Sequence, residues 1–228
     1  MGTDGRFDPD RILAVLLELD ADIIALQEAD MRFGDRRGLL DLAALHLRGN
    51  YSAVTDVGLQ KSSHGFHGNV VLYREGTVRA VKRVKLPGLE PRGAIVVDLD
   101  LSSGSLRIIA AHLGLLKRSR SKQIEVILNA AETNSQRPVI VLGDMNEWRI
   151  GAKSSLKLFS PHFGPLHSAA ASYPSRYPLL SLDRVMTSPE IVVRDVLVHQ
   201  SALAKVASDH LPIRATVELA TQRELKPV

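Results

Sequence analysis

Residues 137–148 read RPVIVLGDMNEW, and the way this stretch ends decides how the chain is read. The apolar run Val139 to Leu142, rich in β-branched residues and bounded by Pro138 and Gly143, predicts a short buried strand. Gly143 breaks the run, and a carboxylate, Asp144, and a carboxamide, Asn146, follow it. Both residues form turns readily, so a tight loop capping a core strand explains them. A site built where a rigid strand stops explains them equally well. The rest of the chain has to separate the two.

With 228 residues, 45 % of them apolar and 24 % charged, the chain can bury a sizeable core and is read as a single domain over 1–228. A formal charge of +4 permits a phosphate-bearing partner without the dense basic stripe of a nucleic-acid module. The absence of cysteine excludes disulfides and thiolate metal sites. No apolar run approaches the roughly 20 residues that cross a bilayer. The first residues also lack the basic-then-apolar pattern of a signal peptide, so a cytoplasmic location is expected.

FDPDRILAVLLELDADIIALQE, residues 7–28, predicts a helix followed by a strand. Asp8 can cap, Pro9 suits the first helical position, and Ile12, Val15, Leu16 and Leu19 recur at helical spacing. A second helix is expected from Gly38 to Leu47, then strands near Tyr51–Val57, over GNVVLYR (68–74, from Gly68) and over Val78–Leu86, with an exposed loop at 58–67. GAIVVDLDLSSGSLRIIAAHL (93–113) is the best hairpin, with Val97, Leu99 and Leu101 alternating against Asp98 and Asp100. A helix over about 119–134 leads into the quoted strand. Loops with short helical pieces are expected at 151–182, and strands near Leu182–Met186, Ile191–Val198 and Pro212–Leu219 close the chain. Strands outnumber helices and hairpins mix with helical connections, which favours a layered α/β or α+β fold.

Four of these strands end, or nearly end, on a group able to handle metal or phosphate: Glu28, His112, the Asp144–Asn146 pair and Asp183. Asp209 and His210 precede the last strand. Each has a plain structural explanation when taken alone, such as a strand end, a core histidine, a surface ion pair or a loop cap. Together they suit hydrolysis at phosphorus. A carboxylate such as Glu28 supplies the oxygen ligand that Mg2+ prefers. Asp144 can orient or deprotonate water, with Asn146 holding water or phosphate. His112 and His210 can face the charge that grows on phosphoryl oxygens. A carboxylate such as Asp183 can aim His210 and keep it protonated.

In order, DADIIALQE, GNVVLYR, RIIAAHLG, VIVLGDMN, LDRV and SDHLPI resemble the endonuclease/exonuclease/phosphatase superfamily, the metal-dependent fold of pancreatic deoxyribonuclease, abasic-site endonucleases, neutral sphingomyelinases and inositol-phosphate 5-phosphatases. The resemblance implies a two-sheet β-sandwich flanked by helices in four layers, with the site at one edge of the sheets. It implies that Glu28 ligates Mg2+ or Mn2+ with Asp209 as a further metal or water contact. Asp144 and Asn146 would then serve the attacking water, His112 the phosphate, and a paired Asp183–His210 the transition state. Asn69, Arg92 and Arg176 are candidates for substrate contact, with a structural ion pair an equal reading of the two arginines.

Members of that superfamily normally begin with a central strand ending in asparagine ahead of the glutamate. Here no asparagine precedes Glu28. Either the sequence starts late or a core strand and one site group are missing; a missing strand would leave backbone groups unpaired beside the sheet centre, and lower stability, with a homodimer or partner strand filling the gap, is then expected. The function expected is a metal-dependent phosphodiesterase acting on nucleic acid or a membrane-lipid head group. The alternative is a non-catalytic phosphate-binding or scaffold protein that keeps the fold. The basic clusters RFGDRR (32–37) and KRSRSK (117–122) could track a nucleic-acid backbone, but a solvated face is the stronger reading of the second.

Overall fold

The computed structural model describes residues 1–31, 36–54, 63–132, 137–164 and 170–220. Helix α1 covers Pro9–Leu19, with Asp8 as its cap: the carboxylate accepts the Arg11 N–H and Pro9 occupies the first turn. Both signals had been legible in the sequence. Strand β1 is Ile23–Leu26. Helix α2 runs Leu42–Gly49, later than expected, because Asp41 accepts the Ala44 N–H and so sets its start. Strand β2 is only Ser52–Ala53, and residues 55–62 of the expected strand and loop lie outside the described residues.

Strands β3 (Val70–Tyr73) and β4 (Thr77–Leu86) follow, then the hairpin of β5 (Arg92–Leu101) and β6 (Gly104–His112). Leu101 faces Gly104 across the turn, so only Ser102 and Ser103 lie between the two strands. Helix α3, Lys117–Glu132, carries the chain to β7, Val139–Asp144. Short 3-10 turns cover Gly151–Lys153 and Ser155–Phe159. Strands β8 (Asp183–Thr187) and β9 (Ile191–Val198), helix α4 (Ala204–Ala207) and β10 (Ile213–Leu219) complete the order.

The strands form two facing layers. One is a five-stranded sheet ordered β4-β5-β6-β7-β8, in which β6 and β7 are parallel and their neighbours antiparallel. The other comes in two pieces, β1-β3-β2 and β10-β9, with no pairing between them among the described residues. Alternation along the central strands separates the cores. Ile108 and Ala110 of β6 pack with Val97, Leu99 and Val71 between the layers, while Ile109 and Ala111 pack with Ile124 and Ile127 of α3 and with Phe159 on the outer face. Leu13, Leu16 and Leu19 of α1 and Leu45 of α2 cover β1 and β3. Helix α4 packs beside α1 through Val15, Ala204 and Ala207. Helices therefore cover both outer faces, giving the mixed α/β four-layer arrangement expected. The departure is the split second layer.

The basic cluster at 117–122 is not wholly a solvated face. Lys117, Arg118 and Lys122 are exposed, but Arg120 is only 2 % exposed. Its guanidinium donates to the Leu115 and Gly114 carbonyls, to Ser155 Oγ and to the fully buried Glu147. An uncompensated buried charge is costly, so this saturation is what lets an arginine sit inside the helix–sheet interface. Of the first cluster, residues 32–35 lie outside the described residues, and Arg36 is bound to Asp30 at 2.8 Å.

Candidate active site

Register across the five-stranded sheet builds the first half of the site. In the parallel pair His112 is partnered with Asp144, and in the antiparallel pair Asp144 is partnered with Asp183. Three polar groups thus stand in one row across β6, β7 and β8. They lie at the end where β6 and β7 stop and β8 begins. Gly143 permits the close approach. It has φ +136°, and a Cβ there would lie 2.0 Å from the Ala111 carbonyl oxygen on β6. Gly143→Ala is expected to lower unfolding free energy by more than about 2 kcal/mol, read from a urea melt, because neither the backbone angle nor the neighbouring strand can yield cheaply.

Asp144 is buried. Burial alone would raise its carboxyl pKa, but His112, the charge of His210 and the Asn146 N–H hold it below the usual value. His112 Nε2 lies 3.3 Å from Asp144 Oδ2, and the Asn146 N–H donates to Asp144 Oδ1 at 2.8 Å. Asn146 takes the left-handed conformation, φ +48°, and its carboxamide donates to the Leu113 carbonyl at 2.9 Å. Behind it, Glu147 accepts from Arg120 and from the N–H groups of Ser155 and Arg149, which pins the loop. The strand-end turn in the quoted stretch is therefore both a structural cap and a rigid mount for two side chains.

The second half comes from Asp183 and the segment before β10. His210 Nδ1 lies 2.8 Å from Asp183 Oδ2, and the hydroxyl of the fully buried Ser172 donates to the same oxygen. Burial would lower the His210 pKa, but the Asp183 hydrogen bond and the charges of Asp183, Asp144 and Asp209 outweigh it, giving a value raised to about 9. The Tyr173 ring packs against the imidazole at 4.8 Å between centroids. Asp209 is exposed.

Glu28 follows β1 at φ +55°, a conformation costing a non-glycine residue about 1 kcal/mol. The Ala29 N–H bonded to the Gly68 carbonyl holds it there, and a Cβ on Gly68 would press the Glu28 backbone at 3.1 Å. The Glu28 side chain is 71 % exposed, with Arg92 4.0 Å away. Arg92 is held by Glu90 through two hydrogen bonds, and its Nη1 lies 2.7–2.8 Å from the two ring nitrogens of His112.

Glu28, Arg92, His112, Asp144, Asn146, Asp183, Asp209 and His210 all line one groove. Two assigned residues do not. Asn69 is fully buried, with its carboxamide N–H donating to the Phe66 and Gly93 carbonyls, so it ties a loop to β5. Arg176 points away, donating to the Thr3 hydroxyl and carbonyl, and so clamps the N-terminal segment. Sequence reading had passed over Glu90, Ser172 and Tyr173. Glu90, two residues before Arg92 in EPR, is the only one with a nearby signal in the sequence.

The metal-binding reading can be tested on the donor set. Among the described residues no three His, Asp or Glu side chains converge as a cage. Glu28 and Asp209 instead offer exposed carboxylates at the groove mouth. Hard oxygen donors of this kind are the ligand type that a divalent cation such as Mg2+ takes together with waters and substrate phosphate.

The family model described as "Endonuclease/Exonuclease/phosphatase family" matches residues 2–210. YbhP of Escherichia coli, an uncharacterized protein, is 30 % identical over 172 residues, 68 % of this chain and 64 % of that protein. The chain thus spans less than two thirds of that relative's length. Among solved structures, an endonuclease/exonuclease/phosphatase from Beutenbergia cavernae superposes with a TM-score of 0.74 at 20 % identity, over 96 % of this chain and 69 % of that one. A mannosyl-6-phosphatase from Bacteroides thetaiotaomicron superposes with a TM-score of 0.70 at 14 % identity, over 90 % of this chain and 88 % of the other. No helix among the described residues is long and apolar enough to cross a membrane.

Proposed function

Because the chain belongs to the endonuclease/exonuclease/phosphatase family, whose members are hydrolases, we propose that it is a metal-dependent phosphoesterase cleaving a phosphodiester by in-line attack of water. The observation that carries the reading is the meeting of an ionised, buried Asp144 and a cationic, carboxylate-aimed His210 over one groove, with Arg92 and Glu28 at its edge.

Asp144 orients the attacking water and accepts its proton. Asn146 fixes the loop geometry and offers its carboxamide beside the same water. His112 and Arg92 take the non-bridging phosphoryl oxygens. His210, protonated at neutral pH, stabilises the charge that grows as the new P–O bond forms and the ester P–O bond breaks. Asp144 takes one hydrogen of the water and the other stays on the oxygen newly bonded to phosphorus; the leaving alkoxide takes its proton from solvent, to which Asp144 later returns the one it accepted. Glu28, with Asp209 as a further contact, would hold Mg2+ or Mn2+. When bound, the cation neutralises phosphoryl charge and helps orient the ester. We take the enzyme to act in the cytoplasm, on nucleic acid or on a phospholipid-type head group. The exposed Trp148 and Leu115 on the groove rim offer either one an apolar wall.

The test is hydrolysis of bis-p-nitrophenyl phosphate and p-nitrophenyl phosphate with Mg2+ or Mn2+, beside EDTA-treated protein and Glu28→Gln. Diester turnover abolished by EDTA and reduced at least about 100-fold in Glu28→Gln is expected. Turnover of the monoester alone would move the substrate class. No metal-dependent turnover of either would favour the phosphate-binding scaffold.

A further inference from the structure

Three connecting segments, 87–91, 113–119 and 146–153, are tied together beside the site. Glu90 accepts the Leu115 N–H, and a Cβ on Gly88 would come within 3.2 Å of Ser119. Arg120 donates to the Gly114 and Leu115 carbonyls on one side and to Glu147 on the other, and Glu147 accepts the Arg149 N–H. On these segments Leu89, Leu115, Leu116, Trp148 and Ile150 are each more than half exposed. Large apolar side chains scattered singly over a surface are ordinary, but five on adjoining segments are not. Lys117, Arg118, Arg149 and Lys153 are exposed among them, with the Arg149 guanidinium 5.0 Å over the Trp148 ring. The same segments hold two acids only, Glu90 bound to Arg92 and Glu147 bound to Arg120. The exposed carboxylates of the groove, Glu28 and Asp209, stand elsewhere in the chain, after β1 and before β10.

We propose that these segments form a surface that docks on a bilayer rich in anionic lipid. The cations and the apolar tips have to be explained together. Lys and Arg alone suit any phosphate-bearing partner, and a nucleic acid would take them along its backbone. A nucleic acid offers little to exposed Leu89, Leu115, Leu116 and Ile150, however, because bases stack on rings, and Trp148 is the one aromatic residue of these segments. At an anionic bilayer every member of the set has a place. Aliphatic tips enter the acyl boundary, tryptophan settles at head-group level, and the cations lie against lipid phosphates. The bonds through Glu90, Arg120 and Glu147 hold the segments in place beforehand, which lowers the ordering cost of docking. Leu115 and Trp148 also line the groove, so the surface that docks adjoins the mouth of the site. The docking rests on these segments and stands whether or not the phosphoesterase reading does.

Trp148 is the single tryptophan of the chain, so its fluorescence reads the contact directly. The intact protein is titrated with vesicles of phosphatidylcholine, with vesicles of equal parts phosphatidylcholine and phosphatidylglycerol, and with the latter carrying bromine in their acyl chains. The anionic vesicles are expected to shift the emission to the blue and the brominated ones to quench it, with binding at least about tenfold weaker to phosphatidylcholine alone. Leu116→Asp with Ile150→Asp, and separately Lys117→Glu with Arg118→Glu, are each expected to weaken binding at least about tenfold at an unchanged melting temperature. No quenching by bromine, equal binding to the neutral vesicles, or full binding by both double variants would overturn the proposal. Tighter binding to a duplex oligonucleotide than to anionic vesicles would overturn it in favour of nucleic acid. A blue shift that grows with protein concentration in the absence of vesicles would do so in favour of a second copy of this chain.

Discussion

Asp144→Asn is expected to lower kcat at least about 1000-fold while leaving the melting temperature nearly unchanged. General-base help is worth on the order of 10² to 10⁴ in rate, and Asp144 is the buried carboxylate that the site keeps ionised. Asparagine has nearly the same shape and keeps an oxygen to accept the Asn146 N–H, so the loop after β7 stays in place. It cannot take a proton from water. Steady-state kinetics on the ester that the wild type turns over, beside a thermal melt of both proteins, separates chemistry from folding. A loss below about tenfold would remove Asp144 from the proton-accepting role and leave it as a support for His112.

The second large effect is on pH dependence. His210 titrates at about 9 because the Asp183 hydrogen bond and nearby carboxylates outweigh burial. If the cation is the working form, activity is flat through neutral pH and falls as pH rises through about 9. Asp183→Asn removes the strongest of the interactions that raise the pKa. The basic limb should then move down by about two units toward the ordinary histidine value of about 6.5. Stability carries the same sign. A pKa raised on folding stabilises the protein fully below the unfolded value, and that contribution is lost as pH climbs toward 9. In Asp183→Asn the loss of stability should be largest in acid and should shrink above pH 9. A limb that stays near 9 in the variant would mean that His210 is not the group titrating in the profile.

Much of this was legible in the chain because the signals were local. Asp8 and Pro9 marked the start of α1, and the bounds of β9 came out as read because an apolar run is closed by Pro189 on one side and His199 on the other. The row His112, Asp144, Asp183 was legible as three strand ends, although their meeting in one register depends on pairing that no single strand encodes. Asn69 and Arg176, candidates through the resemblance, find their partners in backbone carbonyls and a threonine hydroxyl supplied by distant parts of the chain. Ser172 and Tyr173 were invisible for the same reason, since only the fold brings them to Asp183 and His210. Arg120 read as one of a solvated run, and only tertiary packing shows that it faces inward.

The row across β6, β7 and β8 has a consequence for how this protein can change. Because side chains alternate faces along a strand, inserting or deleting one residue in β7 would send Asp144 to the opposite side of the sheet. The row of site side chains therefore tolerates hardly any change in chain length along these strands. The rim is under no such rule: Leu115, Trp148 and Tyr173 all sit outside the ladder on connecting segments that can grow, shrink or be exchanged. Changes of chain length are thereby confined to the connecting segments, away from the row.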